Sequence, residues 1–502
     1  MDRRTFIKTF TGTITSLTLP VSLQAKSPLG NHASFLTALE EKPWLLGYLG
    51  TRQTEPQADL HMISGSVPHD LKGYFYRNGP ALHTIGLDRF SHWLDAPGML
   101  QRFTFANNTV THLGRMVETT RNVAEVNAGN ILFSAFGTKG ENLGSGGSAD
   151  AQNVGNISII KHAGELLALW EGGSAHVINQ KNLKTDGIKA WSPETVGLPF
   201  GAHPRTDKDG SLWNIGYSAD PSALIIYHIS STGELLQTHI IQQAATPMIH
   251  DFMITETKLV IVAPPYNANN LNGEAFIELF EWHDTHSTQI LVIDKDDFTQ
   301  VSTFEIDPFW VFHFGNAYDI NDSEIGFDFA HYDDPTFMTH DSFAFMDGTW
   351  EGDISSASRY AQVFLNLTTK TACLKTVDGL GRTEFIQTDY RQNLANHRYA
   401  LMLSSIETTE AYGFNRLLLV DRNSGKDVFF EVSKTEILEE HLIVPKPRTE
   451  DDFWIIGTSL DWAKGVTNLS VYEGRQLSDG PIMKAELDLA LPLGLHGHFV
   501  PH

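Results

Sequence analysis

Short runs of apolar or alternating residues recur along most of the chain between clusters of turn-forming residues. Runs of four to seven residues are bounded by clusters such as 207–210, 423–426 and 478–480, which is the pattern of β-strands joined by tight turns. The pattern predicts strands at 166–171, 212–217, 223–229, 259–263, 290–293, 360–365, 398–403, 416–421, 453–457 and 468–472.

Helical periodicity is rare, and the best amphipathic window covers residues 273–282. Many short strands at even spacing, together with 41 glycines and 10 tryptophans, favour an all-β fold and a β-propeller over two β-sandwiches. No blade signature of the Trp-Asp or Kelch type accompanies the strands, so the spacing alone carries this prediction.

Charge and cysteine content exclude several classes of protein. The chain has 36 Lys and Arg against 60 Asp and Glu, a formal net charge of −24, and a nucleic-acid binder needs a basic face instead. A neutral apolar ligand suits this chain better than a polyanion. The single cysteine, Cys373, excludes an intrachain disulfide framework and a cysteine-rich zinc site.

The first 25 residues have the pattern of a twin-arginine export signal. Arg3 and Arg4 are followed by Phe6 and Lys8, then by a mildly apolar stretch at 10–23 and a small residue, Ala25. The sequence therefore predicts an export signal at 1–25, a single domain at 26–502 and a periplasmic location; the alternative is an amphipathic N-terminal helix. Because this route exports folded proteins, it favours a cofactor that is inserted before export.

Four of the 22 histidines lie among apolar or small neighbours next to predicted strands: His203, His250, His313 and His496. Alone, each is more typical of core packing than of metal binding. The first three are 47 and 63 residues apart, close to the roughly 40–50 residues of a propeller blade. Successive blades and the closing blade would then direct all four rings at the central axis. A second metal site could group His283 with His286, or His496 with His498 and His502. It is disfavoured because His283 and His286 lie in a polar run, 283–287, and are interpreted as exposed.

The chain resembles the carotenoid cleavage oxygenases from about residue 71 to the C-terminus. The motifs that carry the resemblance are 73–80 (GYFYRNGP), 92–99 (HWLDAPGM), 167–173 (LALWEGG), the contexts of the four histidines, Glu384-Phe385, Glu440 before Pro445, 450–452 and 493–497 (LGLHG). The resemblance implies a seven-bladed β-propeller with a loop and helix cap over a metal site on the central axis. It also implies that His203, His250, His313 and His496 bind Fe(II), and that Glu171, Glu384 and Glu440 accept hydrogen bonds from His250, His313 and His496.

The residue types agree with that site. Neutral imidazoles suit a divalent metal such as Fe(II) and leave room for dioxygen and substrate. Carboxylates hydrogen-bonded to the far ring nitrogens fix the orientation of the rings and supply negative charge. Without the family pattern, Glu171, Glu384 and Glu440 would be interpreted as solvated carboxylates at strand ends.

The implied reaction is O₂-dependent cleavage of a conjugated C=C bond into two carbonyl products, without an obligatory acid or base. Such chemistry needs an apolar, aromatic tunnel. The segment 275–282 is a candidate membrane-contact patch through Phe276 and Phe280. Aromatic residues near the third histidine that could line the tunnel are Phe309, Trp310, Phe312, Phe314, Phe327 and Phe329, although most phenylalanines are expected in blade packing.

Departures from the family pattern bear on the substrate. The first motif continues as Ala81-Leu82, and 95–98 reads DAPG where the family usually has DGDG. The region 150–156 lacks the lysine with which stilbene-cleaving relatives bind a phenol, so a carotenoid or apocarotenoid is favoured over a stilbene. A stilbene-cleaving enzyme, an isomerase of the same family and a non-catalytic periplasmic propeller that binds an isoprenoid or a protein remain alternatives. A serine hydrolase is disfavoured because no nucleophile elbow is present.

Overall fold

All ten predicted strands are present in the computed structural model, which describes residues 30–140, 148–352, 357–405 and 411–502. The two predicted strands at 223–229 and 416–421 have the predicted bounds, and the others differ at their ends by a few residues. The predicted export signal at 1–25 lies outside the described residues and stays a prediction.

Seven antiparallel sheets form the blades of a β-propeller, which confirms the predicted fold class. Their strands are Gly73–Asn78, Met99–Ala106 and Thr109–Met116 with His496–Pro501 (blade 1); Ser158–His162, Glu165–Leu169, His176–Ile178 and Thr185–Ile188 (blade 2); Arg205–Thr206, Leu212–Ser218, Ala223–Ile229 and Leu235–Gln242 (blade 3); Met253–Ile254, Lys258–Ala263, Thr288–Asp294 and Val301–Ile306 (blade 4). The remaining strands are Trp310–Asn321, Glu324–Tyr332, Arg359–Asn366 and Thr371–Thr376 (blade 5); Arg382–Gln387, Tyr399–Ser405, Arg416–Asp421 and Lys426–Glu431 (blade 6); Glu436–Pro445, Phe453–Asp461, Val466–Glu473 and Pro481–Leu487 with Leu60–Gly65 (blade 7).

Both ends of the described chain take part in closing the ring. The last strand, His496–Pro501, pairs with Gly73–Asn78 near the other end of the chain. The strand Leu60–Gly65 pairs with Pro481–Leu487 at the outer edge of blade 7. Because a closed ring leaves few free strand edges, it stabilises a large all-β chain without disulfides.

Short helices and loops cover one part of the ring. The helical segments are His32–Glu41, Leu46–Leu49, Thr120–Ala128, Ala149–Gln152, a π-helical turn at Phe337–Asp341 and Ser342–Asp347, with 3₁₀ turns at Pro43–Leu45, Trp93–Asp95, Pro193–Thr195, Phe276–Leu279, Tyr390–Gln392 and Gly474–Asp479. Among the described residues, no helix is long and apolar enough to cross a bilayer. An aromatic cluster packs the cap together, formed by Trp44, Tyr48, Phe345, Trp350 and Tyr412.

The amphipathic window at 273–282 does not form an α-helix. The segment forms a 3₁₀ turn, Phe276–Leu279, followed by a short strand, Phe280–Trp282, that pairs with Tyr266–Ala268. Phe280 does not belong to an exposed membrane-contact patch, because it is only 7% exposed and its ring packs against Tyr266. Membrane contact through Phe276 stays a prediction. Phe276 is half-buried and packs on Phe280. Strand pairing and inward packing override the helical spacing of these apolar residues.

Candidate metal centre

The four predicted histidines converge at one point in the ring. The Nε2 atoms of His203 and His250 are 3.0 Å apart, and those of His250 and His313 are 3.2 Å apart. The ring of His496 packs edge-on against the rings of His203 and His313. One ring nitrogen from each of the four residues lies within 4.8 Å of the others. Residues up to 293 positions apart in the chain therefore share a single cluster.

The histidines come from the blades that the spacing predicts. His203, His250 and His313 precede or lie on the innermost strands of blades 3, 4 and 5, and His496 begins the closing strand of blade 1. Neighbouring inner strands contact one another around the centre of the ring. The ring geometry therefore brings together side chains that no local motif could bring together.

The three predicted glutamates come from the other blades and contact the predicted histidines. Glu171 follows a strand of blade 2, and its carboxylate accepts a hydrogen bond from His250 Nδ1. Two further pairs join Glu384 Oε2 to His313 Nδ1 at 2.6 Å and Glu440 Oε1 to His496 Nδ1 at 2.9 Å. Each of the seven blades thus contributes one residue to the cluster.

Strand irregularities aim three of these side chains. The ladder of blade 5 shifts register between Val311 and Phe314, on either side of His313. Similar shifts follow Glu384 in blade 6 and flank Glu440 in blade 7. A β-bulge bends its strand and redirects a side chain, which is why bulges are common beside active sites. The sequence carries no signal that reveals these bulges in advance.

A second set of side chains holds the glutamates, and sequence reasoning missed it. The Tyr332 hydroxyl donates to Glu384 Oε1 at 3.0 Å, and Gln387 Nε2 donates to Glu440 Oε1 at 2.8 Å. The Tyr217 hydroxyl lies 3.5 Å from Glu171 Oε2. These partners fix the carboxylates, so the imidazole rings have a defined orientation before any ligand binds.

Burial and charge tune the protonation of the cluster. Burial and the neighbouring rings lower the pKa of His203 and of His313 well below its usual value of 6.5. Burial acts to lower the pKa of His250, but the carboxylates of Glu171, Asp251 and Glu384 together raise it. Burial raises the pKa of Glu384 to about 7. Since metal binding requires neutral imidazole, His203 and His313 are in the binding form at neutral pH.

The residues present fit a divalent metal. When two ring nitrogens each bind one ion at about 2.1 Å and the two bonds form a right angle at the ion, the nitrogens lie about 3 Å apart. The spacings of 3.0 and 3.2 Å match that value. Imidazole donors suit iron, zinc, copper and nickel alike, so the donor set indicates a transition metal without selecting one of them.

Two cavities of different character meet at the histidines. A polar cavity of about 200 Å³ is lined by His203, Arg205, Asp251 and Asn316 among others. A second cavity of about 100 Å³ includes His250 and is otherwise mostly apolar and aromatic, with walls from Tyr48, Trp93, Phe312, Phe337, Tyr412 and Phe414. His313 and His496 line both cavities. The histidine cluster therefore separates a polar space from an apolar one.

Phe312 is the one residue of the six aromatics predicted near the third histidine that lines the apolar cavity. Trp310 packs its ring on that of Phe312 at 5.3 Å. The other four belong to the buried core of blade 5: Phe309, Phe314, Phe327 and Phe329. Most of these rings stabilise the blade, as expected, and the cavity draws its walls from loops distant in sequence.

Glu440→Gln is expected to weaken metal binding by about 10–100-fold. Glu440 Oε1 accepts a hydrogen bond from His496 Nδ1, and Oε2 accepts one from the Gly497 backbone N–H at 2.6 Å. Glutamine replaces one of these oxygens with an NH₂ group, which cannot accept, so one of the two hydrogen bonds is lost. Titration of the metal-free protein with Co(II) measures the effect. The exposed Glu234→Gln is the matched control and is expected to bind Co(II) like the wild type; equal affinities in the two variants would contradict the role of Glu440.

Comparisons with known proteins agree with this architecture. The family model for RPE65, retinal pigment epithelial membrane protein, matches residues 49–501. Apocarotenoid-15,15'-oxygenase of Synechocystis sp. is 26% identical over 487 residues, which cover 90% of this chain and 95% of that protein. Isoeugenol monooxygenase of Pseudomonas nitroreducens is 24% identical over 492 residues, with 91% and 98% covered.

A solved structure of a relative has the same fold. The crystal structure of the cobalt-substituted Synechocystis apocarotenoid oxygenase superposes with a TM-score of 0.82 at 25% identity, covering 92% of this chain and 98% of that one. That protein can therefore hold cobalt in this fold. The family match extends over nearly the whole chain, and the relatives named are oxygenases. The chain belongs to the family of RPE65 and the carotenoid cleavage oxygenases.

Proposed function

We propose that the protein is an Fe(II)-dependent oxygenase that cleaves a conjugated C=C bond of a carotenoid or apocarotenoid into two carbonyl products. The observation that carries the proposal is the four-histidine cluster, three of whose rings, those of His250, His313 and His496, line an aromatic cavity. Fe(II) bound to His203, His250, His313 and His496 would supply the binding and activation of O₂ beside the double bond. The seven-residue cluster of histidines and glutamates supports this metal role over that of an inert scaffold.

The chain's own residues would bind and orient the substrate. Phe312, Phe337 and Tyr412 form an apolar wall beside the histidines, and a polyene gains stability there by leaving water. Glu171, Glu384 and Glu440 would hold the imidazole rings so that their Nε2 atoms face the metal. The walls would decide which double bond lies nearest the metal, since no residue is required to act as an acid or base.

The substrate class rests on relatives and on one local feature. The relative from Synechocystis is an apocarotenoid oxygenase, and 150–156 has no lysine to bind a phenol. The isoeugenol monooxygenases match at similar identity, so a small phenylpropenoid belongs in the same assay.

We also propose that residues 1–25 direct export to the periplasm. Fractionation of cells that express the wild type or Arg3→Lys/Arg4→Lys tests this signal, because the variant should stay out of the periplasmic fraction.

Loss of polyene absorbance tests the proposed substrate class. The iron-reconstituted protein is incubated in air with apocarotenals, carotenoids, hydroxystilbenes and isoeugenol, and the products are identified by mass spectrometry. We expect two carbonyl fragments from a carotenoid or apocarotenal. Cleavage of the phenolic substrates alone would overturn the substrate assignment, and geometric isomers without fragments would indicate an isomerase. An absence of tightly bound iron would favour a binding scaffold.

A further inference from the structure

One buried carboxylate joins the three segments that carry the first three histidines. Asp251 follows His250, and its side chain is only 2% exposed. Its Oδ2 atom accepts a hydrogen bond from Arg205 Nη2 at 2.6 Å and one from the backbone N–H of Phe314 at 3.1 Å. Arg205 lies two residues after His203, and Phe314 lies one residue after His313. Asp251 is therefore a direct link between blades 3, 4 and 5.

Arg205 adds a second bond across the same junction. Its Nε atom donates to the carbonyl oxygen of Phe252 at 2.8 Å, while Asp251 Oδ1 accepts from the Phe252 backbone N–H at 2.7 Å. The guanidinium group thus holds both a side chain and a backbone atom of the segment after His250. A planar guanidinium makes two such bonds at a fixed angle, which a lysine ammonium does not do.

The His203 segment has particular need of this link. His250, His313 and His496 each bond a glutamate through Nδ1. Among the residues that the structure describes, no carboxylate is hydrogen-bonded to the His203 ring, which contacts the other three histidine rings, with its Nε2 atom 3.0 Å from His250 Nε2. The orientation of His203 therefore depends on its backbone. That backbone is tied to blade 2 by the Ser158 hydroxyl, which donates to the Ala202 carbonyl oxygen, and to blade 4 by the Arg205 side chain.

We propose that Arg205 and Asp251 are positioning residues that fix His203 relative to His250 and His313 before the metal binds. The proposal rests on the four-histidine metal site of the proposed function. In this role the pair does not itself bind the metal. It acts by keeping three ring nitrogens at the spacing that one ion requires.

Co(II) binding to the metal-free protein tests the proposal without depending on turnover. Arg205→Met is expected to weaken Co(II) binding by about 10–100-fold, the range seen when groups supporting metal ligands are lost. Its Co(II) visible spectrum is expected to differ from that of the wild type, because the ligand geometry changes. Arg205→Lys keeps the positive charge but cannot make both guanidinium hydrogen bonds. We therefore expect a Co(II) affinity between those of the wild type and Arg205→Met.

The double variant Arg205→Met/Asp251→Asn separates positioning from stability. Arg205→Met leaves the buried Asp251 carboxylate without its charged partner, which lowers thermal stability. The double variant has no unpaired buried charge, so thermal stability should largely recover. Co(II) affinity should stay low in the double variant, since the link between the segments is still missing. The matched control, Asp294→Asn, breaks the 2.6 Å pair with Lys258 on blade 4 and should bind Co(II) like the wild type.

Two results would overturn the proposal. The first is wild-type Co(II) affinity and spectrum in Arg205→Met or, should that variant fail to fold, in Arg205→Lys. The second is recovery of Co(II) affinity together with stability in the double variant, which would make the pair a structural element only. A wild-type protein that binds no Co(II) would instead remove the metal site itself, and with it the proposed function.

Discussion

His250→Ala is expected to lose tight metal binding and all metal-dependent turnover. His250 is the ring whose Nε2 atom lies near two others, 3.0 Å from that of His203 and 3.2 Å from that of His313. Its removal also leaves the Glu171 carboxylate without the histidine that it supports. Because loss of an outer supporting group costs about 10–100-fold, loss of a ligand should reduce metal affinity by more than about 100-fold.

Metal content per protein chain after reconstitution and desalting measures this loss. His286→Ala is the control, since His286 is exposed and has the polar neighbours Thr285 and Ser287. We expect the control to retain full metal content. Stoichiometric, tightly held metal in His250→Ala would show that the ion binds elsewhere.

The second large effect concerns stability, and Glu439→Ala is expected to lower the free energy of unfolding by about 3–5 kcal/mol. Glu439 Oε1 pairs with Arg77 Nη2 at 2.7 Å and accepts the Gly494 backbone N–H at 2.6 Å. Both side chains of the pair are at most 5% exposed, so the substitution leaves a buried guanidinium unpaired. Burial raises the pKa of Glu439, an effect that Arg77 opposes.

Denaturant unfolding of the metal-free protein measures this change in stability. Arg77→Met/Glu439→Leu removes both charges and should recover most of the loss, because a buried pair contributes little more than an apolar replacement. Gly494 lies two residues before His496, so Glu439→Ala should also weaken Co(II) binding. A stability within about 1 kcal/mol of the wild type would contradict the importance of this pair.

Ten of the strands were predictable because short apolar or alternating runs recur between clear turns. The four histidines could be selected because their apolar neighbours and blade-like spacing set them apart from the other 18. Their pairing with Glu171, Glu384 and Glu440 came from family resemblance alone, since nothing local distinguishes these glutamates from exposed ones. The structure contains all three histidine–glutamate hydrogen bonds.

Other features depend on contacts between distant segments and could not be predicted. The apolar residues of 273–282 have helical spacing, yet a strand partner at Tyr266–Ala268 decides their conformation. Asp251 and Glu439 are charged residues beside apolar ones, and their charged partners, Arg205 and Arg77, lie 46 and 362 positions away. Sequence alone shows that such a charge needs a partner, and only the closed ring shows which one it has.

The measurement that tests the central claim most directly is the fate of ¹⁸O₂ with the iron-reconstituted protein and a substrate from the panel. Mass spectrometry of products trapped before exchange with water gives the number of labelled oxygens in each fragment. The account predicts one label in each of two carbonyl products and no products from His250→Ala. Products that form without O₂, or that carry oxygen from water alone in both fragments, would contradict an oxygenase.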